Sequence, residues 1–537
     1  MLVLTLSGAF ACGGLFCDAI QPVEQAGEQI VFAVDSQAGT TTMHVEITYE
    51  GPAEEFAWVL PVRGVPELEV SSKDLFDLLD ATTAPRVGTS QQLGEQCLSF
   101  DADSGLIADT AAPPAPPGVE VLATQAVGPY ETTTLAATDA SELVTWLQDN
   151  GYAVPDLLSN ALTPYIGQQM RFVALRLAKN RDAGDLRPLA LTYADSTPAI
   201  PLVLTRVAAQ DDMPVTVYVL GEARAVPDNY LHVQLNPLNL DYWSLGANYH
   251  EVITAAADEA GGQAFATDLS SSTELLADVF HSANLPSATD LSDATNARDF
   301  VDSLWSRGFP QSEDLMDVLR THLPLTTVPQ GAEDTDVYAC PACYPSVWAG
   351  VPYDGPAAQA AVEGFLDQRL NTQEMVNGTA WVTRLRSSIS ADEMTLDPTF
   401  ALNYDMDQVV DNQWVVTILS ECDSDGEPWT APQRLTLPGG LELLAPSPQA
   451  LSEQGSSLHD WLVSQSTGAA LVIEDTAGTD APVVIVDNTP LVPEARDDAD
   501  TSPQGCGCAT SSGGGIALLP LVLLGLVGRR LRSPIQD

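Results

Sequence analysis

Lysine is nearly missing from this 537-residue chain, which has it only at Lys73 and Lys179. Arginine does little to replace it: 21 basic residues stand against 73 acidic ones, a net charge of −52. Binding to nucleic-acid backbones or anionic membrane surfaces is excluded, because both depend on clustered Lys and Arg that attract the anion and displace its counterions. A surface so short of cations depends on screening by salt or divalent cations. Apolar residues are not short: 45% of the chain is hydrophobic and mean hydropathy is +0.03. The chain can therefore bury an ordinary core, unlike an acidic disordered tail.

Local catalytic signatures are missing too. There is no GxSxG elbow, no Walker A loop and no GxGxxG after a strand. Histidine occurs only at His44, His232, His250, His281, His322 and His459. His250-Glu251 is followed by Val252, Ile253 and Thr254, so the second histidine of a zinc-protease helix is lacking. Each histidine reads as a surface or satisfied core residue. These absences point away from an enzyme, although dispersed carboxylate pairs leave no local trace.

The apolar runs that bear on export lie at the two ends. Residues 1–11 read MLVLTLSGAFA and close on Ala9-Phe10-Ala11, a small-x-small pattern that places signal-peptide cleavage after Ala11; the basic n-region is missing. Lipidation at Cys12 is a lesser alternative. At the other end Gly505-Cys506-Gly507-Cys508 precedes a Gly-rich stretch, an apolar run over 516–527, and Arg529, Arg530 and Arg532. As a helix, residues 513–528 would span about 24 Å against roughly 30 Å of hydrocarbon, with Pro520 and Gly525 interrupting it. That describes a temporary anchor whose basic end stays in the cytoplasm while everything upstream lies across the membrane. Processing or lipidation is expected at Cys506 or Cys508.

Between the ends the pattern is α+β: a strand-rich, sandwich-like N-terminal part, a helical middle, and strands returning near the C-terminus. Residues 28–35 and 41–49 read as a hairpin, with Met43, Val45, Ile47 and Tyr49 inward and His44 outward. A strand follows through Trp58 and Leu60, ended by Pro61. Ser72 caps a helix carrying Leu75, Phe76, Leu78 and Leu79, and Asp139 caps another with Glu142 in capping-box position. Strands are expected at 171–178, 200–207 and 215–220. Helices should dominate 249–323, and Pro356 begins one over 357–370. Strands resume at 414–419, 435–437, 470–473 and 483–486. The segments are thus 1–11 signal peptide, 12–100 strand-rich part, 101–118 acidic Ala/Pro linker and 119–412 α+β body. A strand-rich part at 413–490, an acidic linker with the Cys motif at 491–512 and the apolar segment with basic stop at 513–532 complete the chain.

Two resemblances attach to these residues. The order of parts over Cys506 to Arg532 resembles the myxobacterial C-terminal sorting tag called MYXO-CTERM, which implies cleavage by a dedicated membrane protease and display at the cell surface. The body resembles a secreted bacterial family catalogued as domain of unknown function number twenty-three thirty. Its likeness is carried by Cys12-Gly13-Gly14-Leu15-Phe16-Cys17, residues 56–62, Asp74-Leu75-Phe76 and Ala84-Pro85-Arg86, then Ile200-Pro201-Leu202, Tyr218-Val219-Leu220 and Asn229-Tyr230. Thr383-Arg384-Leu385-Arg386, Asp392-Glu393-Met394 and Asp397-Pro398 extend it. The resemblance implies location and extent, and no activity.

Six cysteines, Cys12, Cys17, Cys97, Cys340, Cys343 and Cys422, are disulfide candidates once the tag pair is set aside, with the pairing left open. Cys340-Pro341-Ala342-Cys343 has redox spacing, but Pro345 opposes a following helix, so a structural bridge is favoured. A zinc site from Cys12, Cys17, Cys340 and Cys343 is disfavoured by export. No cofactor is expected beyond calcium, for which Asp423, Asp425 and Glu427, and Asp405 with Asp407, are the acidic candidates; Pro432 stands where an EF-hand needs its bidentate Glu. Arg384 and Arg386 should pair with acids, a carboxylate-ligand site being the sharper option. The reading is an exported, cell-surface protein, non-catalytic, serving envelope structure, adhesion or interaction with a polysaccharide or protein partner. An exported carboxylate hydrolase and a calcium-dependent polysaccharide-binding module are the alternatives.

Overall fold

The computed structural model describes residues 24–50, 57–93, 120–128, 130–150, 158–177, 187–207, 209–277, 279, 285–422, 428–478 and 481–489. Strands β1 (Glu24–Asp35), β2 (Thr40–Glu50), β3 (Ala57–Val62) and β4 (Glu67–Val70) precede helix α1 (Lys73–Thr83) and β5 (Arg86–Leu93). Then come β6 (Glu120–Val127), β7 (Tyr130–Ala136), α2 (Ala140–Asp149), α3 (Leu158–Gly167), β8 (Arg171–Leu177), β9 (Leu189–Tyr193) and the single turn α4 (Leu202–Thr205). The middle runs β10 (Met213–Gly221), β11 (Ala225–Pro227), β12 (Leu231–Leu235), α5 (Tyr249–Glu259) and β13 (Ala264–Ser272). Helices α6 (Ala297–Arg307), α7 (Glu313–His322), α8 (Asp334–Ala339) and α9 (Gly355–Asn377) follow. The described chain closes with β14 (Trp381–Ile389), β15 (Phe400–Leu402), β16 (Gln413–Ser420), β17 (Gln433–Thr436), β18 (Glu442–Ala445), α10 (Pro448–Gln454), α11 (Leu458–Gln465), β19 (Ala470–Asp475) and β20 (Val483–Asp487).

The class is α+β, built as a sandwich. A ten-stranded sheet in the order β20-β19-β12-β13-β14-β10-β1-β2-β9-β4 faces a four-stranded sheet in the order β3-β8-β7-β6. Alternation along the strands sends Ile30, Phe32, Val217 and Val219 to meet Trp58, Leu60, Val173 and Leu175 of the smaller sheet in one apolar core. The opposite face of the large sheet is also covered: Val31, Tyr218 and Val382 pack on Leu75, Phe76 and Leu79 of α1. Helices α2, α3 and α4 back the smaller sheet. A third sheet, β18-β17-β16-β5, joins α5 and α11 around Val416, Leu435 and Leu462. Helices α6 to α9 make a core of their own around Phe300, Leu315, Tyr338 and Val362.

Several expectations hold at the residues that carry them. Ser72 accepts the Leu75 N–H, Asp139 accepts from Ser141 and Glu142, and α9 begins with Asp354 as cap and Pro356 in its first turn. Others are corrected. The expected strand at 200–207 is instead the turn α4, because Asp397, far along the chain, accepts the Val203 N–H at 2.8 Å and acts as its cap. The helical stretch 249–323 is interrupted by β13, whose small residues hide its alternation. Pro61 lies inside β3, tolerable because β3 is an edge strand. His44 does not face solvent: its face of β2 is the helix-covered one, and its Nδ1 lies 2.7 Å from Ser71 Oγ.

Candidate functional site

Strand β13 shifts register against β14 between Thr267 and Leu269. Such a bulge re-aims side chains. Here Asp268 and Leu269 both serve the helix-covered face, while Thr267 keeps to the sandwich face. Two charged networks meet at this point, one on each side of the sheet.

On the sandwich face His232 of β12 places Nδ1 2.8 Å from Glu474 Oε1 on β19 and Nε2 2.9 Å from Thr267 Oγ1. Burial lowers the His232 pKa and keeps the ring neutral. Burial alone would raise Glu474, but the hydrogen bonds from His232 and Gln234 and the charge of Arg224 hold its carboxyl below the usual range. A neutral ring beside a carboxylate has one workable arrangement: Nδ1–H donates to Glu474 and Nε2 accepts the Thr267 hydroxyl. Arg224 approaches Thr267 at 3.4 Å and is fixed by the Asp407 carbonyl at 2.8 Å. His232, Glu474 and Arg224 are all buried.

On the helix face Arg384, 1% exposed, bridges Asp268 at 3.0 Å and Asp80 of α1 at 2.8 Å, and lies 5.4 Å from the Tyr218 ring centre. Burial disfavours its charge, yet Tyr218, Asp268 and Asp80 hold it firmly ionised. The Tyr249 hydroxyl donates to the second oxygen of Asp268 at 2.7 Å. A third network joins α1 to α7 and α9. Asp314 accepts from the Ser72 hydroxyl and from the N–H groups of Lys73 and Asp74, so an α7 carboxylate caps α1, and Arg187 neutralises it at 2.9 Å. Asp74, raised by burial and by Asp314, is bound by Arg369 at 2.6 Å. A small hollow lined by Ser72, Asp74, Leu75, Leu78, Arg369 and Thr372 borders this pair.

The residues singled out in the sequence fare differently. Cys340 and Cys343 are bonded to each other across a turn in which the Cys343 N–H meets the Cys340 carbonyl at 2.9 Å. They follow the C-terminus of α8, whereas a helix N-terminus is the position that makes a thiol reactive. Cys422 is disulfide-bonded as well. Ala11, Cys12, Cys17, Cys97, Asp423, Asp425, Glu427, Cys506 and Cys508 lie outside the described residues. So do residues 101–118 and 513–532; among the described residues no helix is long and apolar enough to cross a membrane. Asp405 and Asp407 are exposed, and among the described residues no three His, Cys, Asp or Glu groups converge on a point. Arg384 pairs with acids as expected. The bonds from His232 to Glu474 and from Ser72 to Asp314 were beyond local reading, since each joins residues 242 positions apart.

The fold and these networks define a disulfide-bonded α+β sandwich protein in which the buried charged residues described above are held by partners within the fold. The family model of uncharacterized proteins conserved in bacteria (DUF2330) matches residues 6–290, more than half of the chain, and the protein belongs to that family. The match does not reach the Thr383 to Arg386 segment or the C-terminal tag. No curated protein and no solved structure matched the chain.

Proposed function

We propose that this is an exported bacterial protein displayed at the cell surface, non-catalytic, and acting in envelope structure, adhesion or interaction. One observation carries the non-catalytic reading: five buried acids, Asp74, Asp268, Asp314, Asp317 and Glu474, each meet an Arg, a His or hydrogen-bond donors. None of these five is left free to act as general acid or base. The disulfides at Cys340–Cys343 and Cys422 support an oxidising compartment. The cleavage pattern at Ala11 and the short apolar segment with its arginines supply the route, with a membrane protease acting near Cys506 or Cys508.

Intact-mass analysis of protein released by protease shaving of living cells tests the reading. The expected product lacks residues 1–11 and the arginine-bearing tail and has its cysteines oxidised. A full-length chain with free thiols, recovered only from the cytosol, would overturn it.

A further inference from the structure

Strands β13 and β14 are neighbours in the large sheet, yet residues 273–380 leave the ladder between them before returning to it. The two ends of that excursion are tied at one point. Ser272 pairs with Trp381, the Thr273 N–H donates to the Ala380 carbonyl at 3.1 Å, and the Thr273 hydroxyl donates to the Thr379 carbonyl at 2.6 Å. Beyond this tie the helices fold on themselves: their buried core runs from Ala288 to Phe365, all within the excursion. Apolar contact with the body comes beside the tie, where Leu276 and Val376 join Leu75 and Phe76.

Farther out, the junction with the body is polar. Asp314 and Asp317 of α7 meet Arg187, Arg369 of α9 meets Asp74, Gln368 donates to the Val70 carbonyl at 3.4 Å, and Asp314 caps α1. Arg187 and Arg369 each keep a buried Nε without an acceptor, and the hollow between α1 and α9 lies on this junction. Parting it returns those donors to water, so separation costs less than across a close-packed apolar face. Charge acts in the same direction. Residues 273–380 hold 16 acids against 4 bases, and the rest of the chain 57 against 17. Like-charged bodies repel through their exposed groups, and salt screens that force far more than it screens buried pairs.

We propose that α6, α7, α8 and α9 form a lid hinged at Thr273 and Ala380, which swings off α1 as one folded body at low salt and closes on it at high salt. The charge pairs of Asp314, Asp317 and Arg369 are its latch. The assignment rests on this junction and is independent of where the protein is located.

Hydrogen exchange of the full chain, read amide by amide in sub-denaturing urea at about 0.1 M and about 1 M NaCl, tests this. The reporters are the Lys73 and Asp74 N–H groups, both held by Asp314 when the lid is closed. The expected result is exchange at these two amides through a urea-dependent opening that leaves amides within α6, β10 and β14 protected. That opening becomes at least about threefold rarer at the higher salt. Arg369→Gln raises exchange at Lys73 and Asp74 at least about tenfold without changing α6 or β14. Arg206→Gln, an exposed arginine elsewhere, leaves it unchanged. Should Arg369→Gln fail to fold, the urea and salt series on the parent chain carries the test. Exchange at the two reporters that tracks the sheet amides, takes α6 with it, ignores urea as simple fraying does, or fails to slow with salt overturns the proposal.

Discussion

His44 takes its character from the layer laid over it. Burial pushes its pKa down to about 4 and leaves a neutral imidazole beside Ser71. The unfolded ring titrates near 6.5, so as pH falls the unfolded chain takes up the proton first. The stability His44 supplies is thus complete above about pH 6.5 and is lost as pH falls toward about 4. His44→Gln should flatten that part of the curve, read as urea midpoints at about pH 7 and about pH 5. Asp397 works in the opposite sense. Burial raises its carboxyl to about 6, so the folded state holds a proton that the unfolded state releases near 4, and stability falls as pH rises between the two. Asp397→Asn keeps an acceptor for Val203 N–H and Tyr165 OH while removing the charge, and is expected to raise the midpoint relative to the parent at about pH 7. At Arg384 the stake is larger. Arg384→Met leaves Asp268 buried and unpaired, an expected loss of about 3–5 kcal/mol, and adding Asp268→Asn should restore much of it. Equal loss in the single and double variants would refute the pairing argument.

Elements with their own local chemistry were legible in the sequence: the β1–β2 hairpin by alternation, α1 and α2 by Ser72 and Asp139, α9 by Pro356. Those decided by distant partners were not. Residues 200–207 carry an apolar strand-like run that closes into the turn α4, where the Val203 N–H is held by Asp397, 194 positions beyond. β13 is rich in Ala and Ser, so its two faces differ too little in hydrophobicity to show a period of two. The candidate networks were invisible for the same reason, since His232 and Glu474 become neighbours only when β12 and β19 pair. Pairing also makes a prediction about the cysteines. β5 and β16 run parallel and in register as far as Leu93 and Ser420; Cys422 follows that end of the ladder by two residues, and in the sequence Cys97 follows Leu93 by four. Non-reducing peptide mapping should therefore recover Cys97 linked to Cys422; recovery of Cys12 or Cys17 in that fragment instead would sink the register argument.

The whole molecule carries 52 more negative than positive charges, and the matched interior networks do nothing to relieve that excess at the surface. Self-repulsion opposes compaction and is screened as the Debye length shrinks from about 10 Å at 0.1 M salt to about 3 Å at 1 M. Tm should climb steadily over that range, and a flat or falling profile would contradict it. The sheet order sets a schedule as well. Strand β14 fills the slot between β10 and β13, although both leave the ribosome more than a hundred residues earlier. Until residue 389 has been made, the widest sheet stays split into two incomplete halves with long-range partners still to come. The middle seam of that sheet therefore closes only after the strands on both of its sides have long been available.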